Sequence, residues 1–150
     1  MKEVSIYIYI DYTGSIAKGS GIYNIIWECV IPTEQGDYPA TMKETRGFTE
    51  ITRNQLALKA LEAALEHMRQ KSHITIYVDS DYIFAALTQK WLDKWKDNEF
   101  ISNGKPIKYA DTWSHVAALS EQHELKVIKT NNTPYSKAQA IEIKLFKEKK

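Results

Sequence analysis

Cysteine is nearly absent from this 150-residue chain. Its single cysteine, Cys29, lies in the largely apolar run Ile25–Val30. One thiol excludes an intrachain disulfide framework and any cysteine-ligated zinc or iron–sulfur set. The expected role of Cys29 is that of a small buried hydrophobe. A long hydrophobic run is missing too. The apolar start, Val4 to Ile10, is too short for a secretory signal and runs directly into Asp11, and no stretch approaches a membrane span. A cytoplasmic location with no membrane partner is the resulting expectation. Charge of one sign is also lacking, since 20 Lys and Arg stand against 19 Asp and Glu for a net +1. Strong nucleic-acid binders often carry a basic excess, so any such binding here must rest on local patches. Repeats and dividing linkers are absent as well, which leaves a single domain over residues 1–150 as the expectation.

The hydrophobic pattern supplies the elements. Val4 to Ile10 is β-branched and aromatic and reads as a strand. Gly21 to Ile31 is a second, Pro32 to Pro39 a turn, and Ala40 to Thr49 a third, together an antiparallel meander. Thr52-Arg53-Asn54-Gln55 is a capping-box pattern ahead of apolar residues at helical spacing. Ile74 to Val78 is a fourth strand, followed by a helix from Tyr82 to Leu87; a strand–helix–strand unit favours parallel pairing. Lys90 to Tyr109 is mixed, Asp111 can cap a helix reaching Gln122, Leu125 to Lys129 is a fifth strand, and Ser136 can open a last helix. The order β-β-β-α-β-α-α-β-α predicts an α/β fold with a five-stranded mixed sheet flanked by helices.

Two aspartates stand out. Asp11 follows one very apolar strand and Asp79 follows another, and open α/β sheets place ligands beyond such strand ends. Two carboxylates from neighbouring strands can share a hard divalent cation such as Mg²⁺. Asp is also favoured simply as a turn residue.

The chain resembles the type 1 ribonuclease H family over nearly its whole length. Asp11 begins a glycine-bearing loop that reaches Tyr23 at the family's spacing. Thr52-Arg53-Asn54-Gln55-Leu56 is similar to the family's Thr-Asn-Asn-Arg-Met, and Val78-Asp79-Ser80-Asp81-Tyr82 to its Thr-Asp-Ser-Gln-Tyr. Thr88-Gln89, Trp91, Trp95-Lys96, Lys105-Pro106 and Asp111-Thr112-Trp113 match its helix-and-handle region. The resemblance implies a ribonuclease-H-like fold and cleavage of the RNA strand of RNA/DNA hybrids by two Mg²⁺ ions held by Asp, Glu, Asp and Asp.

Carried over position by position, Asp11 and Asp79 match the first and third acids as metal ligands. The Glu falls on Ala57, the last Asp on Ile141, and a mobile family His on Asn131. Glu62 should point elsewhere on its helix, whereas Glu142 could reach the metal by a one-residue slip. Thr52 and Asn54 match polar positions that touch nucleic acid; Lys90, Trp91, Lys94, Trp95 and Lys96 match a basic, stacking handle, although Trp91 and Trp95 at i and i+4 also suit a helix core. Tyr12, Ala17 and Asp81 depart from the family pattern. The lysine-rich end, Lys144 to Lys150, reads as solvated, and His67, His73, His115 and His123 as surface or packing residues without a metal-like grouping.

The expectation is a nucleic-acid-binding protein for an RNA/DNA hybrid or an RNA-like duplex, with weak or no cleavage and at most one weakly held Mg²⁺ or Mn²⁺. The alternatives are an active ribonuclease H whose irregular catalytic set is Asp11, Asp79 and Glu142, and a protein–protein interaction module that keeps only the fold.

Overall fold

The computed structural model of the chain describes residues 2–14 and 18–149; Ala17 and Lys150, named above, lie outside them. Among the described residues the order is β1 (Lys2–Thr13), β2 (Gly19–Thr33), β3 (Gly36–Ile51), α1 (Arg53–Glu66), β4 (Ser72–Val78), α2 (Asp81–Thr88) and α3 (Trp91–Asp97). There follow β5 (Ile101–Ser102), β6 (Lys105–Pro106), α4 (Ala110–Ser120), β7 (Glu124–Lys129) and α5 (Ser136–Glu148). Five strands form one sheet in the order β3-β2-β1-β4-β7, and β5 and β6 form a separate hairpin. β1, β2 and β3 pair antiparallel; β4 pairs parallel with both β1 and β7. The predicted mixed sheet is therefore the observed one.

Its strands are longer than the pattern suggests. The turn expected over Pro32–Pro39 shrinks to Glu34 and Gln35, because β2 runs to Thr33 and β3 begins at Gly36. Pro39 is tolerated because β3 is an edge strand, where a missing N–H costs no ladder bond on the open side. Gly36, at φ +115°, supplies the conformation that closes the turn. The helix ahead of residue 122 starts at Ala110, with Tyr109 rather than Asp111 at its N-cap.

The core lies between the sheet and α1. Helix α1 buries Leu56, Ala57, Leu58, Ala60, Leu61, Ala64 and Leu65 against Ile6 and Ile8 of β1 and Ile74, Ile76 and Val78 of β4. Thr52 caps it by accepting the Gln55 N–H at 3.1 Å. Cys29 is half-buried against this core. Trp113 of α4 is fully buried, 5.0 Å from the Trp95 ring, and donates its indole N–H to the Tyr82 hydroxyl at 2.7 Å.

The opposite face is built differently. Tyr7 stacks on Tyr77 at 4.7 Å and meets the edge of Tyr135 at 4.9 Å. Gln139 of α5 donates to the carbonyls of Tyr7 and Asn24 at 3.0 and 3.1 Å. Tyr135 donates to the Glu28 carboxylate, and that bond, with burial adding to it, pushes its hydroxyl pKa up to about 12. Among the described residues no helix is long and apolar enough to cross a membrane.

Candidate active site

Asp11 does not follow its strand but lies inside it. The β1–β2 ladder continues through Asp11↔Ile22, Tyr12↔Gly21 and Thr13↔Ser20, because the two strands form one long antiparallel pair. Alternation places Asp11 on the face of Tyr7 and Tyr9, towards α5. There the Lys147 ammonium sits 2.7 Å from its Oδ2. The cation at Asp11 is thus supplied by the chain itself, from the tail expected to be merely solvated.

Asp79 does follow its strand directly. The β1–β4 ladder ends at Ile8↔Val78, so Asp79 emerges level with Tyr9, two positions short of Asp11 along the neighbouring strand. Its exposed carboxylate opens on a cavity of about 280 Å³ shared with Tyr9, Arg53, Asn131, Ser136 and Gln139. Asp11 lines a different cavity, about 250 Å³, with Ser20, Gly21, Phe48 and Lys147.

The other acid positions supply no oxygen near either aspartate. Ala57 is 1 % exposed, packed with Leu56 and Leu58 in the α1 core. Ile141 is 58 % exposed. It lies two residues, or about 200°, from both Gln139 and Ile143, the positions α5 buries, and therefore points outward. Glu142, the acid expected to be able to slip towards the metal, is instead bound to Lys43 at 2.5 Å. Lys43 belongs to the edge strand β3, separated from β1 by β2, so Glu142 faces away from Asp79. Asp81 is paired with Lys129 at 2.6 Å, and this bond raises the Lys129 pKa.

Beside Asp79 lies a surface that the sequence motifs reveal only in part. Thr52 and Asn54 line a cavity of about 310 Å³ with Arg53, Tyr82, Lys108 and Tyr109. Thr52 Oγ1 is 2.8 Å from the Tyr109 hydroxyl, and the Lys108 ammonium stands 5.4 Å from the Tyr109 ring centre. Arg53 lines both this cavity and that of Asp79, and donates to the Asp79 backbone carbonyl at 3.4 Å. Two cations, three hydroxyls and an exposed amide make one polar strip. Arg53, Lys108 and Tyr109 are absent from the residues that the sequence motifs mark as binding. Arg53 stood inside a recognised motif; Lys108 and Tyr109 lie more than fifty residues away, with no local signal.

Packing and ion pairing take up much of the expected handle. Trp91 and Trp95 are 6.1 Å apart and packed against the core through Trp113, so their rings serve α3 and α4 rather than a stacking platform. Lys96 is tied to Glu121 at 2.8 Å, a bond that raises its pKa. Lys90 and Lys94 are exposed.

Three histidines pair with glutamates, and one pairing overturns the expectation of no metal-like grouping. His115 meets Glu62 and Glu66, and the three offer ligand atoms within 4.8 Å of one another. His123 is buried, accepts the Ser72 N–H on Nδ1 at 3.1 Å, and has its pKa lowered by burial.

An antiparallel meander continued by two parallel strands, with aspartates near the carboxyl ends of β1 and β4, defines the ribonuclease-H-like class of α/β fold. The RNase H family model matches residues 4–132, ending before α5. Ribonuclease H of Clostridium botulinum (strain Hall) is 33 % identical over 121 residues, covering 80 % of each chain. The chain belongs to the RNase H family. In fold it is similar to LC9-RNase H1, a type 1 RNase H with the type 2 active-site motif, with a TM-score of 0.75 at 17 % identity, over 95 % of this chain and 70 % of that one. It is also similar to the foamy viral protease-reverse transcriptase in complex with RNA/DNA hybrid, with a TM-score of 0.66 at 15 % identity, over 93 % of this chain and 19 % of that one.

Proposed function

We propose that this protein binds an RNA/DNA hybrid or an RNA-like duplex along the Arg53 strip and cleaves it weakly or not at all. One observation carries the reading: Asp11, the first acid of the family set, is held by Lys147, while Ala57 and Ile141 stand at two of the other acid positions. Two Mg²⁺ ions bring four positive charges, and stabilising both attacking and leaving oxygens requires both ions in place. Asp11 and Asp79 bring −2, of which Lys147 offsets one. The residues present do not fit a two-metal centre.

Binding needs less. Arg53 and Lys108 offer charge to phosphate oxygens, and Thr52 and Asn54 offer polar contacts that fix position on a backbone. Pairing of Asp81 with Lys129 reduces the repulsion an approaching phosphate meets. The foamy viral relative's complex with an RNA/DNA hybrid supports this substrate class.

Hydrolysis of a labelled hybrid in Mg²⁺ and in Mn²⁺, beside its binding titrated against salt, tests the reading. The expected result is salt-dependent binding with cleavage orders of magnitude below that of a family member carrying all four acids. Full turnover would refute the impaired site, and absence of binding would favour a protein–protein interaction module.

A further inference from the structure

Away from the Arg53 strip, one group of side chains converges without a part in nucleic-acid binding. Glu62 and Glu66 stand one turn apart on α1, and His115 reaches them from α4. The His115 Nδ1 is 2.9 Å from Glu62 Oε2 and 3.7 Å from Glu66 Oε1. Like charges at i and i+4 repel on a helix surface, so the pair gains from a cation between its members.

The other histidine pairings lack this convergence. His73 turns Nδ1 to Glu3 at 3.3 Å and Nε2 to Glu124 at 2.9 Å, on opposite edges of its ring. No single ion can sit between both nitrogens and both acids. His67 meets Glu44 at 3.4 Å. At His115, by contrast, one nitrogen faces two carboxylates.

We propose that Glu62, Glu66 and His115 form a site for a first-row transition metal of the Zn²⁺ class, clamping α1 to α4. Zn²⁺ bonds of about 2.0–2.2 Å set neighbouring ligand atoms roughly 3.0–3.5 Å apart. The observed 2.9 and 3.7 Å bracket that spacing, and all three ligand atoms lie within 4.8 Å of one another. The two carboxylates balance the ion's charge, and water completes the coordination. The imidazole favours this class over Mg²⁺, which prefers oxygen ligands. Lys59 approaches the other oxygen of Glu62, Oε1, at 3.7 Å, leaving Oε2 to the metal. The side chains of Glu62, Glu66 and His115 are 17 %, 51 % and 47 % exposed, so one side of the site is packed and the other open to an incoming ion. Coordination through Nδ1 requires that nitrogen to carry no proton.

The test is titration of the whole chain with Zn²⁺, followed by calorimetry and by thermal unfolding, with Co²⁺ absorption as the spectroscopic check. The expected result is one ion per chain and a Tm rise of about 5–10 °C at a hundredfold excess over Kd. His115→Ala and Glu66→Gln alter exposed positions and so preserve the fold; each is expected to weaken binding at least tenfold, measured against its own metal-free state. An Asp11→Asn, Asp79→Asn double variant is expected to bind Zn²⁺ as the native chain does. Zn²⁺ binding unchanged in both His115→Ala and Glu66→Gln would overturn the site. So would its loss in the aspartate double variant, or no binding at micromolar Zn²⁺.

Discussion

Replacing Arg53 and Lys108 together by alanine should flatten the salt dependence of duplex binding in a calculable way. Both side chains are exposed. Arg53 makes one long bond to a backbone carbonyl and Lys108 leans on a neighbouring ring, so their removal costs little stability. Each cation that neutralises a phosphate contributes a slope of about −0.9 to log K against log salt. Two lost contacts reduce the slope by about 1.8, so between about 50 and 200 mM salt the native chain loses roughly twelvefold more affinity than the variant. Fluorescence anisotropy with a labelled RNA/DNA hybrid reads both slopes, and Lys43→Ala on the far edge strand is the matched control. An unchanged slope in the double variant, or an equal change in the control, would refute the placement of the phosphate path along Arg53 and Lys108.

Other perturbations have equally definite outcomes. Restoring acids with Ala57→Glu and Ile141→Asp should destabilise the chain by about 2–4 kcal/mol in urea, because the first buries a carboxylate among leucines. The second leaves its acid in solvent, so no hybrid cleavage should return; recovered cleavage would show that these two positions do converge on Asp11 and Asp79. Trp113→Phe removes the bond to Tyr82 and packing against Trp95, and should cost about 2 kcal/mol by the same measurement. His123 is held neutral by burial and its pKa is lowered, so the unfolded chain takes up this proton first. The stability it contributes is present above pH ~6.5 and lost as pH falls below that value. His123→Asn, which can still accept the Ser72 N–H, should therefore show a shallower acid slope in unfolding free energy; an identical slope would remove His123 from the account.

The sheet was legible because its strands carry their own signal. The β-branched and aromatic runs and the alternation of β4 each report burial locally. Strand ends were less so. Asp11 resembles a breaker, yet the long pairing with β2 carries it inside β1. The β5–β6 hairpin has a local signal in Asn103-Gly104, both at positive φ, the dipeptide such turns need, but its two-residue strands are too short to show alternation. The site was legible only where it is continuous in sequence. Thr52 and Asn54 stand in a motif, whereas Lys108 and Tyr109 reach them through the packing of α4. The partners of Asp11 and Glu142 were hidden for the same reason: Lys147 and Lys43 meet them across more than ninety residues of chain. The grouping around His115 has no local signal because its two acids lie on another helix.

Helices α1 and α5 cover opposite faces of the sheet by different means, and this divides the molecule in stability. Helix α1 buries seven apolar residues, whereas α5 buries Gln139 and Ile143 and is otherwise held by polar bonds from Tyr135, Glu142 and Lys147. Elements with few buried apolar contacts open at a lower free energy than the global transition. In native-state hydrogen exchange the α5 amides should lose protection as a separate cooperative unit while α1 and β4 still hold. The ammonium that neutralises Asp11 travels with that unit, so each opening of α5 briefly returns a bare carboxylate to the surface.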